Sequence, residues 1–283
     1  MMSFLLVVAL LVLAGSCTSD LSLESRCHGH RFDAMRRGAA GDGRTDDTQV
    51  LQAALNAAGA TVDGHSPAPC VVLQDGIFLS GGLELRPGVI LYVDGSAILR
   101  ASTNGSAWLP RAVPNLVSGV GAHGAALVGE GVLDGQCPEY VTGSGHTSAA
   151  RDGTSFWTDQ LTFSTLSIPG HGGQRVGVLS ISDSMGVLVE GVTLADSHAW
   201  TSAFSNCTDL VVSGIKVYGD WRMPNNDGVR INTPIDASSR CSCFANAVPA
   251  VLLSVRGGGG GGAAPRSILA HAQMPRLSIW ILT

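Results

Sequence analysis

The amino-acid sequence predicts an all-β fold, a parallel β-helix with an α-helix that caps its N-terminal end. Three observations predict it: short apolar runs repeat along the chain, glycine is abundant, and a run with helical spacing lies near the N-terminal end. The chain has 37 glycines in 283 residues, and 45% of its residues are apolar while only 14% are charged. Such a chain can bury a sizeable core, but it lacks the Leu, Glu and Lys content of a helical protein.

The clearest repeat joins residues 183–197 and 206–220, which align residue for residue. Each copy has a polar start, three apolar residues, a glycine and then alternating apolar positions, and Gly191 matches Gly214. Short β-branched runs with a period of about two dozen residues indicate strands stacked in coils, because one coil cannot bury its inner face alone. A β-sandwich, the alternative all-β fold, would show alternating strands joined by hairpin turns.

The capping helix is predicted at Thr48–Ala58, where apolar residues such as Leu51 and Leu55 recur at helical spacing among good helix formers. Asp46 and Asp47 precede it. Their carboxylates can accept the unpaired amide hydrogens of the first turn and favour the positive end of the helix dipole. A solenoid needs such a cap, because its open end exposes unpaired strand edges.

The N-terminal end has the pattern of an export signal. Residues 4–14 form an uninterrupted apolar run, followed by Gly15 and Ser16. The run is too short to cross a bilayer as a helix and has the length of a signal-peptide core. We therefore predict a signal peptide at residues 1–16 and a secreted, extracellular protein without a membrane segment after signal removal. A buried core helix and a lipoprotein acylated at Cys17 are the alternatives.

Cysteine spacing and charge limit the ligands and partners. Six cysteines follow Cys17, an even number that permits disulfides in an exported protein but leaves their pairing open. No Cys-x-x-Cys pair or His/Cys cluster has zinc spacing, so neither a metal nor a cofactor is predicted. The net charge of −5 gives no indication of nucleic-acid binding, and we expect a monomer. The six cysteines are Cys27, Cys70, Cys137, Cys207, Cys241 and Cys243.

Five motifs occur in order: GDGRTDDT at 41–48, the segment 80–99, GEGVLDGQ at 129–136, the segment 187–200 ending in DSHAW, and PNNDG at 224–228. The first resembles the opening of pectate-lyase-like β-helix proteins. The other four resemble coils of the polygalacturonase-type glycoside hydrolases, with Asn226 in place of the Thr of their NTDG motif. The resemblance implies a right-handed parallel β-helix and a pectin-like polysaccharide substrate. It covers residues 27–239 as a glycoside-hydrolase-like domain, and the remaining residues 240–283 are predicted to be a disordered tail.

The resemblance also implies a catalytic role for Asp227. Inverting glycoside hydrolysis needs one protonated carboxyl for the leaving oxygen and one carboxylate that activates water. The family pattern puts Asp227 on the water-activating side. Asn225 and Asn226 are expected to fix the turn, and together with Arg222 and Arg230 they are the candidate substrate-binding residues. The alternative is an ordinary Asn-Asp-Gly turn between two coils.

The chain departs from the family pattern near Arg240. In the family, the following coils supply an Asp pair, a Gly-His-Gly turn and an Arg-x-Lys, but no Asp or Glu follows Asp236 here. The Gly-His-Gly around His171 precedes Asp227 and is interpreted as a loop, and Trp200 is interpreted as a packing residue. We therefore expect an incomplete hydrolase site in this chain. A non-catalytic carbohydrate-binding β-helix and a polysaccharide lyase of the same superfamily are the alternative functions.

Overall fold

The structure is a computed structural model. It describes residues 20–108, 114–144, 161–220, 222–223, 226–232, 240–245, 251–255, 266–270 and 277–279. The predicted signal peptide and Asn225 lie outside these residues. No helix in the described part of the chain is long and apolar enough to cross a membrane.

The described residues form two α-helices, three short 3-10 turns and a long series of strands. The helices are α1 (Leu23–Arg26) and α2 (Thr48–Gly59), and the 3-10 turns are Met35–Arg37, Gly105–Ala107 and Cys137–Tyr140. The strands are β1 (Arg31–Asp33), β2 (Asp42–Asp46), β3 (Cys70–Leu73), β4 (Ile77–Ser80), β5 (Leu83–Glu84), β6 (Ile90–Val93), β7 (Ile98–Ala101), β8 (Asn115–Val120), β9 (Ala126–Gly129), β10 (Val132–Asp134), β11 (Val141–Ser144), β12 (Leu161–Phe163), β13 (Leu166–Ile168), β14 (Gly172–Gln174), β15 (Gly177–Ser182), β16 (Leu188–Glu190), β17 (Thr193–Ala195), β18 (Ser202–Ser205), β19 (Val211–Tyr218), β20 (Val229–Asn232), β21 (Arg240–Ala245), β22 (Val251–Val255), β23 (Arg266–Ala270) and β24 (Leu277–Ile279).

The strands stack in parallel along three faces of a coil, which confirms the predicted β-helix. One face runs β1-β3-β6-β9-β16-β19, the second runs β2-β4-β7-β10-β17-β19, and the third runs β5-β8-β15-β18-β20. A single coil therefore contributes one strand to each face, as β16, β17 and β18 do. The long strand β19 supplies two faces at once, since it pairs with both β16 and β17.

The sequence repeat and the strand register agree. Val189 pairs with Val212, as the aligned repeats require, and on the other side it pairs with Leu127, which pairs with Leu91. All four side chains are fully buried and form a column along the axis. Burial of one such side chain stabilises the fold by about 1.5–3 kcal/mol, so stacking identical apolar positions supplies the core. The repeat glycine Gly191 has a φ of 80°, a left-handed conformation that favours glycine at the bend between two faces.

The predicted capping helix is confirmed as α2, which buries Leu51 and Leu55 against the first coils. Asp46 accepts a hydrogen bond from the Thr48 amide at 3.0 Å, as expected of a residue at the helix start. Asp47 differs from the prediction. It is the N-cap residue, but its buried carboxylate accepts the amides of Ala40 (2.7 Å) and Gly41 (3.1 Å) instead. These two amides belong to the preceding glycine turn, so the Asp47 carboxylate binds the turn and not the first turn of the helix.

Contacts with several coils hold the N-terminal segment, residues 21–27, against the β-helix. A disulfide joins Cys27 to Cys70, a pairing that the sequence left open. Arg26 forms an ion pair with Glu190 at 2.7 Å, and the Tyr92 hydroxyl donates to the carbonyl of residue 21 at 3.0 Å. These contacts tie one short segment to coils that are far apart in sequence. Two further cysteines of the described residues, Cys137 and Cys207, are buried thiols.

Residues 240–283 contain four described strands. β21 lies parallel to β19 and antiparallel to β24, while β22 and β23 form an antiparallel pair. The disorder predicted for residues 240–283 and the domain boundary predicted at residue 239 stay predictions.

Candidate functional site

The loops that lead into β18 and β20 bring the candidate residues together. Ser202 pairs with Val229, so the residues two positions earlier, Trp200 and Asp227, lie side by side on neighbouring coils. The backbone confirms this placement, because the Thr201 amide donates to the carbonyl of Asp227 at 2.8 Å. The site therefore lies where the third face of the helix begins, on its outer side.

Asp227 is a half-buried carboxyl with a displaced ionisation. Burial raises the pKa of Asp227, and the positive charge of Arg230 lowers it in smaller measure. No carboxylate of the described residues contributes to this shift of the Asp227 pKa. A raised pKa makes a carboxylate a stronger base once it is ionised, a property expected of a group that removes a proton from water.

Asn226 holds the turn that presents Asp227. Its side chain is buried, its Oδ1 accepts from the Thr201 hydroxyl at 2.9 Å, and its Nδ2 donates to the Asp220 carbonyl at 3.5 Å. These bonds link two neighbouring coils immediately beside the carboxyl. They support the expected turn-fixing role, while substrate binding by Asn226 stays a prediction. Asn225, the other predicted amide, lies outside the described residues.

The two candidate arginines are in different electrostatic situations. Arg222 donates two hydrogen bonds to the Asp220 carboxylate, from Nε to Oδ1 at 2.9 Å and from Nη2 to Oδ2 at 2.6 Å. This interaction lowers the pKa of Asp220. The guanidinium carbon of Arg230 instead lies over the indole ring of Trp200, 3.9 Å from the ring centroid. Within the described residues Arg230 forms no ion pair, but its positive charge acts on the Asp227 carboxyl. Arg222 is thus bound to Asp220, whereas Arg230 has no hydrogen-bonded anion among the described residues.

Trp200, which the sequence indicates as a packing residue, is 38% exposed, while Trp108 is 4% exposed. Trp108 also shows the bond expected of a packed tryptophan, since its indole N–H donates to the Ser102 carbonyl at 2.8 Å. The spacing of Trp200 and Arg230 in the sequence carries no signal of their contact. It arises only when two coils stack.

A buried aromatic cluster supports the loop that carries Trp200. His198 is fully buried, stacks on Tyr140 with ring centroids 4.4 Å apart, and meets the edge of Phe163 at 5.1 Å. Arg175 lies over Phe163 and donates from Nε to the His198 carbonyl at 2.7 Å. Burial lowers the pKa of His198 to about 4, with a smaller contribution from Arg175. The imidazole is therefore neutral at neutral pH.

A segment between β10 and β15 contacts the loop that carries Arg222. It contains the antiparallel pairs β11–β12 and β13–β14, and the Leu161 amide in it donates to the Arg222 carbonyl at 3.0 Å. His171 is exposed in the turn between β13 and β14, which agrees with its interpretation as a loop histidine.

A second group of carboxyls lies at the start of the same loops. Burial raises the pKa of Asp196, and the charges of Asp134 and Asp220 raise it further. Asp134 is itself paired with Arg100 at 2.9 Å. Among the described residues, no group of three or more His, Cys, Asp or Glu side chains is arranged to hold a metal ion.

The comparisons with known proteins give one consistent relationship. No protein-family model matches the chain. The chain is 24% identical over 202 residues to a polygalacturonase of Cryptomeria japonica, which covers 71% of this chain and 35% of that protein. It is 23% identical over 237 residues to an exopolygalacturonase of Zea mays, which covers 82% of this chain and 51% of that protein. The chain therefore spans about one third to one half of the length of these relatives.

The solved structures show the same fold. The crystal structure of a hyperthermoactive exopolygalacturonase from Thermotoga maritima superposes with a TM-score of 0.53 at 18% identity, covering 78% of this chain and 55% of that one. The strand stacking, the ordered motifs that end at Asp227 and the sequence similarity lead to one conclusion. The chain is distantly similar in sequence to polygalacturonases, and it has the parallel β-helix fold of the exopolygalacturonase structure.

Proposed function

We propose that the chain acts on a pectin-type polysaccharide as a polygalacturonase-like glycoside hydrolase, with Asp227 as the carboxylate that activates water. The observation that carries the proposal is the placement of Asp227. It is a half-buried carboxyl with a raised pKa on the outer side of the helix, and Asn226 and Thr201 hold it through hydrogen bonds between coils. The sequence similarity to polygalacturonases supports the choice of substrate.

The proposed chemistry is inversion at the anomeric carbon. Asp227 takes a proton from water as the water oxygen bonds to the anomeric carbon, and a second carboxyl protonates the departing glycosidic oxygen. Burial of Asp227 strengthens it as a base, while the charge of Arg230 favours its ionised form. The described residues supply the water-activating half of this arrangement.

One observation favours a second candidate function. Among the described residues, no carboxylate contributes to the pKa shift of Asp227, so this shift gives no sign of the proton donor that inversion requires. A site with the base but without the acid would bind polysaccharide without cleaving it. A non-catalytic carbohydrate-binding β-helix is therefore the alternative.

Release of reducing ends from polygalacturonate separates the two functions. For the hydrolase, we expect turnover by the wild-type chain and a loss of at least about a hundredfold in Asp227→Asn, which keeps the shape of the side chain but cannot act as the base. Asp196→Asn is the matched control, because it removes another half-buried carboxyl and should keep the rate.

The remaining outcomes are also assigned. Binding of polygalacturonate without turnover favours the non-catalytic function, and equal turnover in Asp227→Asn refutes the proposed role of Asp227. Unsaturated product ends, detected by their ultraviolet absorbance, would identify elimination by a lyase instead of hydrolysis.

We further propose that the protein is exported and monomeric. The Cys27–Cys70 disulfide supports export, because such bonds persist in oxidising compartments. Expression with the chain's own N-terminus, followed by N-terminal sequencing of the secreted product, tests the cleavage predicted after residue 16. Light scattering of the purified product tests the monomer.

A further inference from the structure

Trp200 and Arg230 form a partly exposed pair beside Asp227. The guanidinium carbon lies 3.9 Å from the centroid of the indole, which is within the range of a cation–π contact. Trp200 and Asp227 are neighbours on adjacent coils, and Arg230 is three residues after Asp227 on β20. The three side chains therefore border the same patch of the outer surface.

The hydrogen-bonding capacity of Arg230 is unused within the described residues. A guanidinium has five N–H donors, and stacking on a ring leaves the donor edge free while it fixes the plane. The other arginines around the site are engaged: Arg222 with Asp220, Arg100 with Asp134, and Arg175 with the His198 carbonyl. Arg230 thus differs from them because its guanidinium donates to no anion among the described residues, although its charge acts on Asp227.

We infer that Trp200 and Arg230 form one recognition unit for a sugar ring that carries a carboxylate. The inference rests on the proposed function and assigns its acid specificity to these two residues. The apolar C–H face of the sugar packs on the exposed part of the indole, and its carboxylate accepts two parallel hydrogen bonds from the guanidinium edge. A neutral sugar can use the ring but leaves the arginine without a partner.

The inference has a consequence for Asp227. A sugar carboxylate bound to Arg230 neutralises the positive charge that lowers the pKa of Asp227, so binding raises that pKa. By linkage, a ligand that raises the proton affinity of a group binds more tightly when the group is protonated. Affinity for an acidic sugar should therefore weaken as the pH rises through the pKa of Asp227. In Asp227→Asn this dependence should disappear.

Calorimetric titration with trigalacturonate and with a neutral galactose trimer tests the unit. We expect the wild-type chain to prefer trigalacturonate, and Arg230→Gln to weaken its binding at least about tenfold, the usual effect of losing a charge-assisted hydrogen-bonded pair. Arg230→Lys should be intermediate, because it keeps the charge but not the two-pronged geometry. Trp200→Ala should weaken the binding of both trimers.

Arg36→Gln is the matched control, because it removes the same charge from a side chain that is 88% exposed near the capping end. It should bind like the wild type. Titrations in Asp227→Asn exclude cleavage of the ligand during the measurement. Circular dichroism of each variant shows whether the fold is kept, and Arg230→Lys keeps the question open to refutation if Arg230→Gln does not fold.

Equal affinity of Arg230→Gln and wild type for trigalacturonate overturns the inference, as does a loss found only in Arg222→Gln. The outcome is separate from that of the hydrolase proposal. Acid-selective binding that depends on Arg230, without release of reducing ends, supports the recognition unit and refutes hydrolysis. Hydrolysis with no preference for the acidic trimer does the reverse.

Discussion

The buried histidine behind the site predicts a specific loss of stability in acid. His198 is fully buried, and neither of its ring nitrogens has a hydrogen-bond partner in the described structure. Replacing it with phenylalanine keeps the stack on Tyr140 and removes the only titrating atoms of the ring. We therefore expect His198→Phe to unfold less readily than the wild type in acid.

The magnitude follows from the pKa of His198, which burial lowers from 6.5 to about 4. Between these values the unfolded chain binds a proton that the folded chain does not, so the free energy of unfolding falls as the pH falls. A pKa difference of this size corresponds to a loss of about 3 kcal/mol between neutral pH and pH 4. That loss is a large fraction of the total stability of an ordinary domain.

Urea unfolding followed by circular dichroism, at neutral pH and at about pH 4, measures the effect. The acid loss of the wild type should exceed that of His198→Phe by about 3 kcal/mol, whatever the two variants show at neutral pH. His171→Gln, which removes an exposed histidine, should lose as much as the wild type. Equal acid losses in the wild type and His198→Phe would show that the imidazole is protonated in the folded protein, and would refute the reasoning.

Two further predictions concern the N-terminal half. The Cys27–Cys70 disulfide closes a loop with a sequence separation of 43 residues, so Cys27→Ala/Cys70→Ala should lower the free energy of unfolding by about 4 kcal/mol on the chain-entropy account. Denaturant unfolding measures this loss, and Cys207→Ala, which removes a buried thiol outside any disulfide, is the control. A wild-type stability that does not change with reductant would contradict the estimate. Asp47→Ala should cost about 2–4 kcal/mol, because it leaves two amides of the glycine turn unpaired, whereas Asp46→Ala should cost less. Thermal unfolding of both variants checks this order, and a larger loss in Asp46→Ala would reverse it.

The sequence was sufficient for the features that repeat. Apolar residues facing the axis must recur in every coil, so the alignment of residues 183–197 with 206–220 gave the register of β16 against β19 correctly. The helix α2 could be predicted because its signal is local. Its carboxylates were assigned only in part, since the bonds of Asp47 go to the backbone of a turn six and seven residues earlier.

The contacts of the candidate site were harder to predict from the sequence because they are made between coils. Nothing in the order of residues shows that Arg230 lies on Trp200, since their contact depends on the stacking of β20 on β18. The neutralisation of Arg222 is different. Its partner Asp220 is only two residues away, so this ion pair has a local signal in the sequence.

The ladder of residues beside Asp227 limits where a second catalytic carboxyl can lie. Inverting enzymes keep their two carboxyls about 6.5–9.5 Å apart, which is the distance of one or two rungs in a stack with strands about 4.8 Å apart. Towards the N-terminal end, the register places Trp200 on the first rung and Gly177 on the second. Neither is acidic, and the charges of Asp196 and Asp220 do not shift the pKa of Asp227. Among the described residues, these two rungs therefore hold no proton donor for Asp227.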